Sequence, residues 1–301
     1  MKIGFHIHGT QLPPAAGTTG TAVDHAGADV YRLVRDGMGC DFLLVGGGPV
    51  EAASQMGRAS QLIVPWGAAA LSVSAPHMEI VTRLNAWAFD PAHVARLGAN
   101  LWALSGRRWS LCLDTHPAFW PRESAGHTPA TMAARAREFL DIVLQHWRGR
   151  ADHTGQYLTS TGRMVGPRPG STRPKVWLDA ALSTGWQSGG IEPDGYISFD
   201  GTDRPRSDHV GETMLTCSVV LGRTTGEAQA IASEHRLLAA ARFLVGDVES
   251  VASQIAALTQ DAGFDRIAIG LPTLREAECR LFRDRLVPIV SAAFGKERAS
   301  S

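Results

Sequence analysis

Short apolar runs alternate along this chain with longer segments whose apolar residues recur at every third or fourth place. The runs KIGFHIH (2–8), CDFLLVGGG (40–48), EIVTRLNAWAF (79–89), RWSLCLDTH (108–116), KVWLDAA (175–181), DGYISFD (194–200), ETMLTCSVVL (212–221) and DRIAIGLP (265–272) read as strands. Helical spacing marks the segments between them. AVDHAGADVYRLVRDGMG (22–39) puts Val23, Ala26, Val30 and Val34 on one face. PAHVARLGANLWALSG (91–106), TPATMAARAREFLDIVLQHW (128–147), GEAQAIASEHRLLAAARFL (226–244), ESVASQIAALTQDAG (249–263) and LREAECRLFRDRLVPIVSAAF (274–294) are the other predicted helices. Two helix starts are punctuated. Asp90 and Thr128 are residues that accept hydrogen bonds from free helix N–H groups, and each precedes a proline.

Strands separated by helices predict a parallel sheet. Roughly eight repeats predict that the sheet closes into an α/β fold of the (β/α)8 TIM-barrel type. We read residues 1–301 as a single barrel domain. Alternate residues of a barrel strand face inward. In the first strand Ile3, Phe5 and Ile7 then face the helices, while Gly4, His6 and His8 face the lumen. His8 stands nearest the rim on which such barrels build their sites. Two long connections, about 117–128 and about 149–174, are lid candidates.

Composition narrows the partners. Lys+Arg and Asp+Glu both count 29, so the formal charge is zero and there is no basic excess for nucleic acid. Cys40, Cys112, Cys217 and Cys279 show no C-x-x-C spacing and read as reduced thiols of a cytoplasmic protein. The apolar run after Lys2 is too short for a signal peptide, and no run is long enough to span a membrane.

The histidines of FHIHG allow three chemistries. They can be half of a zinc site, contacts to an organic ligand, or lumen residues satisfied by hydrogen bonds. A zinc hydrolase of this barrel type needs histidines on two middle strands and an aspartate ending the last. KVWLDAA supplies Asp179 and YISFD supplies Asp200, but neither has a histidine, and IAIGLP ends without a carboxylate. We therefore expect no metal. At the tip of the fourth strand, Asp114 and His116 pair a carboxylate with an imidazole, a combination suited to general acid–base work.

Several stretches resemble the bacterial luciferase-like flavin-dependent monooxygenases, in particular the alkanesulfonate monooxygenase-like branch. FDPAHVARLGANLWALSGRRWSLCL carries Pro91, Ala95, Arg96, Ser105, Gly106 and Arg108 at family positions. RAREFLDIVLQHWRGRADHTGQYL, PRPGSTRPKVWLDAALSTG, EPDGYIS, LVGDVESVASQIAAL and GFDRIAIGLPTLREAE follow in the family's order. The resemblance implies a TIM barrel that uses reduced FMN and O2 to oxidise a small organic substrate. It also implies a separate flavin reductase and a homodimer. The family's phosphate turn falls on Ala181, Ser183, Thr184 and Gly185, and Trp87 and Phe89 become candidate walls for the flavin ring. The chain departs from the family where proton-transfer side chains are usual. Three glycines end the second strand, Pro129 and Ala133 stand where a His and a Tyr are common, and residues 201–211 make a short connection. His6, His8, Asp114 and His116 are the expected replacements. A deazaflavin (coenzyme F420)-dependent oxidoreductase and a non-catalytic flavin-binding barrel are the alternatives.

Overall fold

A computed structural model describes residues 1–7, 34, 38–46, 58–114, 128–150, 152–161, 168–169, 172–182, 192–199, 211–235, 237, 243–260 and 263–297. Eight strands form the barrel: β1 (Lys2–Ile7), β2 (Phe42–Val45), β3 (Glu79–Asn85), β4 (Trp109–Asp114), β5 (Lys175–Asp179), β6 (Gly195–Phe199), β7 (Glu212–Leu221) and β8 (Arg266–Gly270). Each pairs in parallel with the next, and β8 pairs with β1, so the sheet closes. The helices among the described residues are α1 (Arg58–Ser74), α2 (Pro91–Leu104), α3 (Pro129–Arg148), α4 (Thr225–Glu234), α5 (Val248–Gln260), α6 (Glu276–Leu281) and α7 (Val287–Glu297). None is long and apolar enough to cross a membrane.

Strand alternation splits the core in two. One set of residues, including Ile3, Phe5, Ile7, Leu43, Ile80, Leu84, Leu111 and Leu113, packs outward against the helices. The other set, Phe42, Leu44, Val81, Cys112, Trp177, Ile197, Met214 and Ala268, fills the lumen. The lumen rings take space that two glycines leave. A Cβ on Gly4 would stand 2.3 Å from the Phe42 ring, and one on Gly195 would stand 2.4 Å from Trp177. Below this layer Arg266, 2% exposed, bridges Glu79 at 2.7 Å and Glu212 at 2.5 Å, and Lys175 reaches Glu212 at 2.6 Å. This ionic layer fills the N-terminal end of the barrel, opposite the C-terminal rim on which such barrels build their sites.

The punctuated helix starts form as expected. Asp90 accepts from His93 N at 2.9 Å, Thr128 accepts from Thr131 N at 3.2 Å, and proline opens each helix. Three segments differ from the periodicity reading. α1 is a helix despite Pro65 in its interior, and Val64, Ala68 and Leu71 bury one face of it. The predicted helix over 226–244 ends at Glu234, and Phe243–Gly246 instead adds a parallel strand to β7. The reason is geometric: β7 pairs with β6 through Thr216 and runs on to Leu221, leaving backbone groups that Phe243–Gly246 satisfies. The predicted helix over 274–294 contains a π turn at Phe282–Leu286, just before Pro288. Proline has no N–H to give its preceding turn, and the wider turn absorbs the lost bond.

The helix expected over 22–39 lies outside the described residues except for Val34, which is helical, and Met38 and Gly39, which are not. Within the second long connection, His153–Thr154 pairs with Thr159–Ser160. Glu138 of α3 holds this hairpin, accepting from Tyr157 N and Leu158 N, each at 2.9 Å.

Candidate functional site

Above the lumen rings, the alternation brings polar residues from several strands to one level. β1 contributes His6, β3 Arg83 and Asn85, β4 Cys112 and Asp114, β5 Asp179, and β7 Thr216. All are at most 6% exposed. Cross-strand register sets the heights, with Arg83 beside Cys112 and Asn85 beside Asp114. Arg83 therefore climbs toward the rim to meet Asp114, and its Nε stands 2.9 Å from Asp114 Oδ2 as an ion pair. Its guanidinium carbon lies 3.6 Å from the centroid of the Phe199 ring. A charge this deep needs such company, because an isolated buried ion costs several kcal/mol.

His6 is 3% exposed, and its Nε2 lies 2.8 Å from the Gly46 carbonyl oxygen. A carbonyl only accepts, so Nε2 carries the proton and Nδ1 is the acceptor atom of the ring. Burial, with help from the Arg83 charge, pulls the His6 pKa down to about 4 against the pull of the Gly46 bond. The ring is therefore neutral at physiological pH. Gly46, first of the three glycines, sits at φ 105°, and a Cβ there would stand 2.6 Å from the Arg83 carbonyl. The glycine is thus required by the turn that offers His6 its acceptor. Burial also pushes the Cys112 thiol well up, so it stays protonated.

At the tip of β3, Asn85 Oδ1 accepts from Trp87 N at 2.7 Å, while Asn85 Nδ2 is buried with no partner among the described residues. Trp87 is half-buried under the Arg135 guanidinium, which lies 3.8 Å from its ring centroid. Arg135 also donates to the Ala86 carbonyl at 3.0 Å.

The structure brings His6 and Asp114, both read from the sequence, into this half of the lumen. Trp87 stands at the rim. Phe89, 9% exposed, packs in the core between sheet and helices. Ala181 lies in the single turn of 3-10 helix Ala180–Leu182 that leaves β5. His8, His116, Ser183, Thr184 and Gly185 fall outside the described residues. Arg83 and Asn85 are the additions the sequence reading did not make. Their signal was present: in EIVTRLN both occupy the inward parity of a strand whose other members are mostly apolar. Among the described residues, no three His, Cys, Asp or Glu side chains are grouped to hold a metal ion.

Residues 68–214 match the family of luciferase-like monooxygenases. No curated protein sequence matches the chain. Among solved structures, the EDTA monooxygenase EmoA from Chelativorans sp. BNC1 aligns at TM-score 0.66 and 16% identity, over 97% of this chain and 94% of that one. The oxygenating constituent of 3,6-diketocamphane monooxygenase from Pseudomonas putida, in complex with FMN, aligns at TM-score 0.64 and 14% identity, over 96% and 98%. An F420-dependent secondary alcohol dehydrogenase aligns at TM-score 0.69 and 12% identity, over 96% and 98%. At these identities the structural likeness establishes the fold, and residues 68–214, just under half of the chain, match the luciferase-like monooxygenase family.

Proposed function

We propose that this barrel is a flavin-dependent monooxygenase that uses reduced FMN and O2 to oxidise a small organic substrate at the rim above His6, Arg83 and Asp114. The observation that carries this reading is the family match over residues 68–214, which includes β3, β4 and β5, three of the strands that build this polar level. The solved relative in complex with FMN supports the choice of cofactor.

The residues present suit a flavin. Asn85 Nδ2 is a buried donor without a partner among the described residues, beside Trp87 at the rim. An isoalloxazine edge offers carbonyl oxygens and ring nitrogens that accept such a bond. Asn85, Trp87 and His6 would hold the ring. Ser183, Thr184 and Gly185, following Ala181, would hold the phosphate. Reduced flavin, when bound, supplies the electrons for the reaction with O2. The chain's own part is to exclude water and handle protons. His6 serves as a neutral imidazole that accepts a proton at Nδ1. His8, His116 and Asp114 complete the proton-handling set.

The reading includes a separate flavin reductase, a homodimer, a cytoplasmic location and a single domain over 1–301. A second reading, hydride transfer with deazaflavin (coenzyme F420), is favoured by the F420-dependent dehydrogenase at TM-score 0.69. Product formation and H2O2 yield with reduced FMN supplied by a flavin reductase test the first. Free reduced FMN returns each O2 as H2O2, whereas oxygenation puts one oxygen atom into the product and one into water, so a substrate from a panel of small organic compounds should lower the H2O2 released per O2 consumed. An H2O2 yield that no substrate changes, with reduction of F420 by an alcohol, supports the second.

A further inference from the structure

Asn85 is the last residue of β3, on the same inward parity as Arg83, and it pairs across the sheet with Asp114. It is 4% exposed. Its amide has no choice of orientation. The atom 2.7 Å from the Trp87 backbone N must accept, because a backbone N–H only donates, so that atom is Oδ1. The other end of the amide is then Nδ2, which can only donate, and it is buried without a partner among the described residues. A donor kept from both water and an acceptor costs the fold free energy, and an acceptor arriving from outside the fold removes that cost.

We propose that Asn85 is a donor-only cofactor-binding residue, which through Nδ2 grips an acceptor on the pyrimidine edge of the flavin ring and grips it harder when the flavin is reduced. This deepens the flavin reading above and rests on it. The chemistry of the ring selects the edge. The dimethylbenzene edge has no acceptor. N3 carries a hydrogen in both redox states, so it cannot take a bond from Nδ2. N5 accepts only in the oxidised ring, since reduction puts a hydrogen on it. The C2 and C4 carbonyl oxygens accept in both states. Reduced FMN in its anionic form spreads negative charge over N1 and these oxygens, and a hydrogen bond to an ionised acceptor is about twice as strong as one to a neutral acceptor. Hydrogen bonds at the ring nitrogens and charge near them are means by which a protein tunes a flavin.

The test measures dissociation constants for oxidised FMN and, without oxygen, for reduced FMN, together with the reduction potential of the bound cofactor. It is run at about pH 8, where a carboxylate is ionised. Asn85→Leu removes the donor at similar size. Asn85→Asp keeps an oxygen for Trp87 N and puts an acceptor where the donor stood, and it keeps the test open if Asn85→Leu fails to fold. Either variant should bind oxidised FMN about two- to tenfold more weakly and reduced FMN about ten- to a hundredfold more weakly. A tenfold loss of preference for the reduced form lowers the two-electron potential of the bound cofactor by about 30 mV. Oxidised 5-deaza-FMN, with carbon in place of N5 and the same pyrimidine edge, should suffer the same penalty as oxidised FMN. A residue that only shapes the β3 tip would weaken both redox states alike. A folded variant that binds both states as the wild type does, or loses both equally, overturns the proposal. So does a penalty that 5-deaza-FMN escapes, which would put Nδ2 on N5. A wild type that binds FMN in neither state defeats the flavin reading and the proposal with it, so the two failures are told apart.

Discussion

Removing the Asp114 carboxylate gives the sharpest energetic test of the site. Arg83 and Asp114 side chains are 5% and 3% exposed, so neither charge is bathed in water. Asp114→Leu leaves the guanidinium with the Phe199 ring but without this counter-charge. Breaking a buried pair from one side costs about 3–5 kcal/mol, because the remaining charge loses its partner without regaining water. Arg83→Met/Asp114→Leu removes both charges and keeps the volume apolar, so most of that loss should return. Non-additivity of about 2–3 kcal/mol is the expected signature of such a contact. Urea unfolding followed by tryptophan fluorescence is a suitable assay, since Trp109 and Trp177 are fully buried and report the core. With a slope of about 3 kcal/mol per molar urea, Asp114→Leu should lower the midpoint by about 1–2 M. A loss below about 0.3 M, or a double variant as unstable as the sum of the singles, would refute the claim that the pair is buried and mutually dependent.

Protonation of His6 gives a pH prediction. Its folded pKa of about 4 lies below the ordinary 6.5, so the unfolded chain binds the proton more readily between those values. Stability from this group is present above about 6.5 and lost as pH falls toward 4, by up to about 3 kcal/mol. Denaturation across that range should show the loss in wild type and a smaller one in His6→Gln. Gly46→Ala forces a side chain onto a backbone at φ 105° and into the Arg83 carbonyl, and should cost about 2–3 kcal/mol by thermal unfolding. Ser183→Ala should weaken FMN binding roughly tenfold to a hundredfold in a fluorescence titration, through one lost bond to a charged phosphate. Unchanged affinity would move the phosphate elsewhere. Sedimentation should show a dimer, and a monomer at every concentration would remove that part of the reading.

The barrel was legible because its strands carry a period of two and its helices one near 3.6, and both survive in a single sequence. The inward set of β1 follows from alternation alone, which places Gly4 and His6 in the lumen. Phe243–Gly246 was not legible. FLVG continues an apolar run that fits a helix, and only the edge left open on β7 decides otherwise. α1 was hidden by Pro65, whose local cost is outweighed by the burial of Val64, Ala68 and Leu71. In the site, His6 and Asp114 announced themselves by chemistry at strand ends. Arg83 did not, because a lone arginine in EIVTRLN has no motif around it. Its meaning comes from Asp114 and Phe199, which lie 31 and 116 residues further along the sequence and meet it only when the sheet closes.

The central claim is that the rim of this barrel receives a flavin. Titration of the purified protein with FMN, FAD and coenzyme F420, followed by cofactor fluorescence, tests it most directly. The account predicts saturable binding of FMN that Ser183→Ala weakens and a chelator leaves unchanged. No saturable binding of any of the three, in oxidised or reduced form, would contradict it.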